Sequence, residues 1–289
     1  MKKPDWIRVR APAGDTWKEV DRILTRRGLH TVCDEARCPN KGECWGMGTA
    51  TFMILGDICT RGCRFCAVAS AKNGRPLRED EGAEIALAAG ELKLDYVVLT
   101  SVDRDDLPDR GSGHFASCVG ALRERNPRIR VEVLIPDYTA AELEPILEAA
   151  PDVIAHNVET VPSLQHIRDS RASFEKSLRT LREAKAGMRA RSAGRRERQP
   201  GRTKSSILLG LGERYGEVLF TMDRLREAEL DILVMGQYLR PSKNQIPVAE
   251  YITPEGFSRY KEEALSRGFS HVVSSPLART SYHAKEANP

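Results

Sequence analysis

The alternation of apolar runs with amphipathic stretches predicts an α/β fold, a partial parallel (β/α)6 barrel of the TIM type. Three observations carry this. First, β-branched and aliphatic runs at 51–55, 95–100, 129–135, 152–155, 205–209 and 231–235 read as strands buried on both faces, as a helix-covered parallel sheet requires. Second, segments of helical period lie between them: Phe174, Leu178 and Leu181 share one face, as do Val218, Met222 and Leu225. Third, helix-start chemistry marks the boundaries. Thr139-x-x-Glu142 is a capping box, and Thr253-Pro254 ahead of Phe257, Tyr260 and Ala264 is a cap with proline at the first helical position. Six such units fall short of the roughly eight of a closed barrel, and 269–273 reads as an extra strand. Chemistry in this fold sits at the C-terminal ends of the strands. Upstream, Thr16-x-x-Glu19 opens a helix with Trp17, Val20 and Leu24 on one face and a stop at Gly28.

The 289 residues, 40% hydrophobic and 30% charged, suit one large domain with extensions, and they exclude a disordered chain. A net charge of +4 says little about partners. The longest uncharged stretch, 44–56, is shorter than the ~18 residues a membrane span needs. No apolar run follows Lys2 and Lys3, so the start does not read as a signal peptide. The expected location is cytoplasmic and reducing, where cysteines act as ligands or catalysts more often than as disulfides. Six of the seven cysteines fall between residues 33 and 66, which argues against a disulfide framework. Cys118 stands apart in an apolar helical context and reads as inert and buried.

Cys59, Cys63 and Cys66 form C-x3-C-x2-C directly after the first predicted strand. Three thiolates on one loop hold three irons of a cubane, and the absent fourth cysteine leaves one iron open to a small molecule. A structural zinc site is the alternative reading, although zinc usually takes four ligands. With Phe65 just before the last cysteine, the motif resembles the signature of the radical S-adenosylmethionine superfamily. The resemblance implies that a reduced cluster passes one electron to bound S-adenosylmethionine, releasing methionine and a 5′-deoxyadenosyl radical, while the protein positions the reactants and excludes water. Candidate contacts to that cofactor are Phe65, Thr100, Asn157, Glu159, Arg171 and Lys204, each with an ordinary hydrogen-bond or salt-bridge role as the alternative. Asn157 and Glu159 share a face if 152–159 is extended. Asp103, Asp105 and Asp106 read as helix-start carboxylates. His156 reads as a packed or hydrogen-bonding histidine, and Arg168 as a cofactor contact or a salt bridge.

Cys33, Cys38 and Cys44 form a second triplet, C-x4-C-x5-C, which alone would suit an electron relay. The two triplets together, with Arg279-Thr280-Ser281-Tyr282 near the C-terminus, resemble the lipoyl synthase family over nearly the whole chain. Further stretches in the likeness are 100–107, 156–160, 209–213 and 236–241. The resemblance implies two [4Fe-4S] clusters and S-adenosylmethionine. The auxiliary cluster would be held by Cys33, Cys38, Cys44 and Ser281, with Thr280 departing from the family's serine but keeping a hydroxyl. An alkoxide is a harder ligand than a thiolate; its displacement would free an iron and expose a bridging sulfide. The implied organisation is an N-terminal extension at 1–48, a radical SAM partial barrel at 49–274 and a C-terminal segment at 275–289, the two extensions carrying the auxiliary cluster.

The implied activity is insertion of two sulfur atoms, at carbons 6 and 8, into an octanoyl chain on a lysine of a lipoyl carrier protein, with the auxiliary cluster as sulfur donor. Implied partners are octanoylated lipoyl carrier domains or glycine cleavage H protein, an electron donor such as ferredoxin or flavodoxin, and an iron–sulfur carrier for reloading. No membrane or nucleic acid is expected. A biotin-synthase-like enzyme is the rival within the class, but it does not explain the upstream triplet together with the Arg-Thr-Ser-Tyr ending. The segment 187–203, with six arginines, reads as a solvated loop or as a docking surface for an acidic partner. Its arginines lack interleaved aromatics, which weakens a base-stacking role.

Overall fold

The computed structural model describes residues 2–7, 15–46, 51–192, 201–282 and 284–287. The chain divides into two compact units: Val9–Gly62 with Ala67–Asp152, and Met1–Arg8 with Cys63–Cys66 and Val153–Pro289.

The first unit opens with α1 (Asp15–Arg27), whose buried Val20, Ile23 and Leu24 follow the helical period; the chain leaves it at Gly28, φ 58°. A short strand β1 (His30–Thr31) leads to α2 (Val32–Glu35) and α3 (Lys41–Gly46). The sheet is then built from β2 (Thr51–Ile54), followed by the small strands β3 (Ile58–Cys59) and β4 (Ala69–Ser70) and helix α4 (Glu81–Glu91). Next come β5 (Tyr96–Ser101) with α5 (Ser112–Arg125), and β6 (Arg130–Leu134) with α6 (Ala140–Ala149). β2, β5 and β6 pair in parallel, with Met53 opposite Thr100 and Leu99 opposite Val133, while β1 adds antiparallel to β2. Every residue of β2 is buried, as a sheet covered on both faces demands. The expected capping box forms: Glu142 accepts the Thr139 N–H at 2.9 Å.

The second unit repeats the pattern with β7 (Val153–Ala155), α7 (Phe174–Ser192), β8 (Arg202–Leu209), α8 (Tyr215–Glu227), β9 (Ile232–Gln237), α9 (Pro254–Ser266) and β10 (His271–Ser275). A final turn of helix, α10, covers Ala284–Ala287. β7, β8, β9 and β10 are parallel in that order. The core holds the anticipated stripes: Phe174, Leu178 and Leu181 of α7, Val218, Met222 and Leu225 of α8, and Phe257, Tyr260 and Ala264 of α9. Thr253 caps α9 by accepting the Gly256 N–H at 3.2 Å.

Six parallel strands, each followed by a helix, give the expected (β/α)6 order, and the late run is indeed a strand, shifted by two residues. The arginine-rich segment departs from the expectation of a loop. Residues 187–192 continue α7, where Met188 is buried and Arg189 pairs with Glu229, and 202–203 open β8. Alanine, methionine and arginine all favour helix, so α7 runs on past its core stripe. Residues 193–200 of that segment lie outside the described residues. Among the described residues no helix is long and apolar enough to cross a membrane.

Candidate functional site

β2 hands the chain to the first cysteine loop through Leu55 and Gly56, at φ 69° and 89°. Left-handed backbone at a leucine costs about 1–2 kcal/mol, and three contacts hold it there. The Leu55 N–H donates to Glu81 Oε2 at 3.1 Å, and its carbonyl accepts from Arg104 Nη1 at 3.0 Å. Its side chain lies over Gly111, where a Cβ would stand 2.5 Å from Leu55 Cδ1. The holders are themselves held: His114 Nε2 lies 2.6 Å from Glu81 Oε2, and Asp106 accepts Arg104 Nε and Nη2 at 2.8 and 2.9 Å.

Beyond this turn, β3 pairs in parallel with β4, setting Cys59 opposite Ser70. The Arg61 N–H points at Cys59 Sγ, 3.4 Å away. Arg61 itself turns inward, 3% exposed at the side chain. Its Nε and Nη2 donate to Asp105 at 2.8 and 2.9 Å, Nη2 also reaches Asp137 at 2.8 Å, and Asp103 lies 3.3 Å from Nη1. Thr60 adds backbone and hydroxyl bonds to the Asp103 carbonyl, both 2.9 Å. The loop is therefore fastened to the chain beyond β5 and β6. Burial pushes the Asp105 carboxyl up, but the Arg61 guanidinium outweighs it and holds the group below its ordinary value. Asp103, 4.0 Å from Cys59 Sγ, is held above the usual carboxylate range by burial, with Asp137 and Asp105 acting the same way and Arg61 opposing.

In the second unit, Cys63–Cys66 is fixed by its backbone. Arg64 donates to the Ile167 carbonyl at 2.9 Å and accepts from the Ile246 N–H at 3.2 Å, and Gln245 Nε2 donates to the Cys66 carbonyl at 3.0 Å. The Asp169 N–H points at Cys63 Sγ, 3.3 Å away.

The upstream triplet rests on two short helices. Thr31 caps α2, accepting the Asp34 N–H at 3.3 Å, and α2 carries the buried Cys33; α3 carries Cys44. The Cys38 N–H returns to the Cys33 carbonyl at 3.0 Å. Lys41 pairs with Asp34 and lies 4.1 Å from the ring of buried Trp45, which stacks at 5.7 Å on Trp17. Burial, aided by Cys38, pushes the Cys33 thiol up to about 11. None of the seven cysteines is in a disulfide.

The cofactor candidates are scattered in character. Phe65 is half-buried, and Thr100 is buried on β5. Lys204 is buried on β8, its carbonyl accepting the His156 N–H at 3.0 Å. Arg171 is largely exposed and forks onto Asp169 at 2.7 and 3.1 Å. Asn157 meets the C-terminal segment: Thr280 Oγ1 lies 3.2 Å from its Oδ1. Ser281, next to Thr280, sits in a turn closed by the Tyr282 N–H on the Arg279 carbonyl at 3.0 Å.

Two expectations need correction. Extended alternation stops at Ala155, because Glu159 adopts φ 65° to bond Ser206 and Leu208 with its own backbone, so Asn157 and Glu159 do not share a strand face. Asp103, Asp105 and Asp106 are not at a helix start. α5 begins at Ser112, and Asp109 takes that role by accepting the Gly111 and Gly113 N–H groups at 2.9 and 3.0 Å. The three aspartates instead serve Arg61 and Arg104. His156 packs as anticipated, 2.8 Å from Ser177 Oγ, and Arg168 bonds Gln165 and Ser177 at 3.0 Å each. Sequence reasoning missed Arg61, Arg104, Asp137, Glu81 and His114. An arginine between clustered cysteines, followed by an Asp-Arg-Asp-Asp run after a strand, was the available signal.

The class that this fold and cysteine loop define is the radical SAM superfamily, whose family model matches residues 53–225. Solved structures agree on the fold. Methylornithine synthase aligns at TM-score 0.57 and 15% identity, over 76% of this chain and 70% of that one. Streptococcus suis SuiB bound to S-adenosylmethionine aligns at 0.58 and 11%, over 82% and 51%. Among curated proteins, the mitochondrial lipoyl synthase of Bos taurus is 48% identical over 99% of this chain and 76% of its own length. Lipoyl synthases of Marinobacter nauticus (46%, over 98% and 79%) and Anaeromyxobacter dehalogenans (48%, over 99% and 94%) match in the same way. The chain belongs to the lipoyl synthase family, a family of radical SAM sulfurtransferases. Membership implies iron–sulfur chemistry, S-adenosylmethionine and a lipoyl carrier protein as substrate.

Proposed function

We propose that this chain inserts two sulfur atoms, at carbons 6 and 8, into an octanoyl group on a lysine of a lipoyl carrier protein. Cys59, Cys63 and Cys66 would hold one [4Fe-4S] cluster, and Cys33, Cys38, Cys44 and Ser281 a second, auxiliary one. The observation that carries the reading is the aim of two backbone donors, Arg61 N–H at Cys59 Sγ and Asp169 N–H at Cys63 Sγ. Cysteine sulfurs met by amide donors fit thiolate ligands, because hydrogen bonds to sulfur stabilise its negative charge and tune a cluster. When bound, the clusters supply the electron that cleaves S-adenosylmethionine and the sulfur that is transferred. The protein's own part is to hold the loop that carries Cys59, Cys63 and Cys66 in place. Arg61, Glu81 and Arg104 do so in the first unit, and the backbone bonds of Arg64 and Cys66 do so in the second. Phe65, Thr100, Asn157, Glu159, Arg171 and Lys204 remain the residues assigned to S-adenosylmethionine.

The proposed organisation is a partial barrel at 49–274, with the flanking 1–48 and 275–289 contributing the auxiliary ligands. The partners that follow are octanoylated carrier domains or H protein, a one-electron donor such as ferredoxin or flavodoxin, and an iron–sulfur carrier. The cytoplasm, a reducing compartment, is the proposed location; relatives include mitochondrial proteins.

The test is an anaerobic assay with reconstituted protein, S-adenosylmethionine, a strong reductant and an octanoyl-lysine peptide, read by mass spectrometry. The parent should add two sulfurs to the peptide. Ser281→Ala and Cys38→Ala should lose sulfur transfer while still releasing 5′-deoxyadenosine. Release of 5′-deoxyadenosine by the parent without sulfur transfer would overturn the assignment of substrate.

A further inference from the structure

The C-terminal segment is tied down within the second unit by a small polar knot. Thr280 is buried, with Oγ1 3.0 Å from Ser206 Oγ on β8 and 3.2 Å from Asn157 Oδ1 just beyond β7. A threonine hydroxyl has one proton to give and lone pairs to receive. An amide oxygen only accepts, so the Thr280 proton goes to Asn157, and Ser206 donates into Thr280. The order of the three groups is therefore determined: Ser206 to Thr280 to Asn157. This orders the Asn157 carboxamide as well, since engaging Oδ1 decides which end of the amide can meet anything else.

The approach of the segment to the sheet is equally specific. A Cβ on Gly236 would stand 2.0 Å from the Ala278 carbonyl oxygen, so the backbone crosses β9 where only glycine leaves room. The Gln237 N–H donates to the Pro276 carbonyl at 3.3 Å. Thr280 is a side-chain link in this crossing and the immediate neighbour of Ser281.

We propose that Thr280 is a positioning residue that couples the two reaction centres: its hydroxyl holds the Ser281 segment against β8 and orients Asn157 beyond β7. The inference rests on the proposed function, in which Ser281 ligates the auxiliary cluster and Asn157 contacts S-adenosylmethionine. The linkage gives Thr280 a role that a hydroxyl at this position can fill and a methyl of the same shape cannot.

Thr280→Val keeps the volume and removes the hydroxyl, leaving the buried Ser206 and the half-buried Asn157 without it; Thr280→Ser keeps the hydroxyl. Three readouts separate the outcomes: amide hydrogen exchange across 276–287, the dissociation constant for S-adenosylmethionine, and the ratio of sulfur transferred to 5′-deoxyadenosine released. Loss of one such buried hydrogen bond corresponds to roughly a tenfold change in an equilibrium. Thr280→Val should therefore raise exchange in the 276–287 peptide and weaken S-adenosylmethionine binding by about that factor, and it should lower the sulfur ratio. The same variant should leave exchange elsewhere unchanged. Thr280→Ser should restore all three. A Thr280→Val protein identical to the parent in exchange, binding and ratio overturns the proposal, as does a Thr280→Ser protein as impaired as Thr280→Val. If the parent itself transfers no sulfur, the functional reading fails, and the exchange result still decides whether the hydroxyl tethers the segment.

Discussion

Arg61 is the residue whose loss should be felt most. It lies inside the first cysteine loop, yet its side chain is 3% exposed and its guanidinium meets three carboxylates: Asp105, Asp137 and Asp103. Asp137 has no exposure at all. Replacing Arg61 with methionine leaves these acids without their main counter-charge. Breaking a buried pair by removing one partner costs about 3–5 kcal/mol. Arg110 remains, 2.5 Å from Asp137 and 3.3 Å from Asp105, and Asp103 and Asp105 keep some solvent, so the lower end, ~3 kcal/mol, applies here. Lysine restores the charge without the planar fork that spans two acids, so Arg61→Lys should recover about half of it. Anaerobic urea unfolding, followed by circular dichroism at unchanged slope, measures both values. Iron per chain should fall along with stability, because the loop that carries Cys59 loses its hold on the chain beyond β5 and β6. An Arg61→Met protein whose unfolding midpoint and iron content match those of the parent would show that the loop is held by something else.

Glu81→Ala strands the Leu55 N–H and should cost about 1–3 kcal/mol, while Glu81→Gln keeps an acceptor and should lose less; equal midpoints for the two would contradict the clamp on Leu55. Burial, with Glu81 adding to it, pushes the Cys118 thiol up to about 12, so iodoacetamide at pH 8 should leave it unmodified in the native protein and label it on unfolding. Labelling as fast as that of the partly exposed cysteines after cluster removal would contradict its burial. Asp106 is held below its ordinary value by Arg104 and by the Gly74 N–H, against the effect of burial. A depressed carboxyl contributes stability above its unfolded value of about 3.9 and loses it as pH falls through the folded value. Asp106→Asn should thus be less stable at pH 7 and should flatten the loss of stability below about pH 4; parallel acid curves would count against the pairing.

Part of the site was open to reading along the chain because its determinants are local. Thr139 with Glu142 and Thr253 with Pro254 start helices through groups three residues apart or fewer, so the sequence announces them. The aspartates after β5 were misread for the opposite reason. Local rules offered a helix start, and only the distant Arg61 shows where Asp105 is used. The short helices around Cys33 and Cys44 escaped notice because a single turn has no period to detect, and their order comes from Trp17 and Trp45 packing across the sequence.

By itself, the sequence determined the (β/α)6 order, both cysteine triplets and the element around Ser281, since strand runs, caps and cysteine spacing are set by neighbours in the chain. Only the tertiary structure decided what holds those residues still. Arg61 reaches Asp137 across 76 positions, and Thr280 reaches Asn157 across 123. Such pairs depend on which strands lie side by side and in what register, and no spacing along a single segment encodes that.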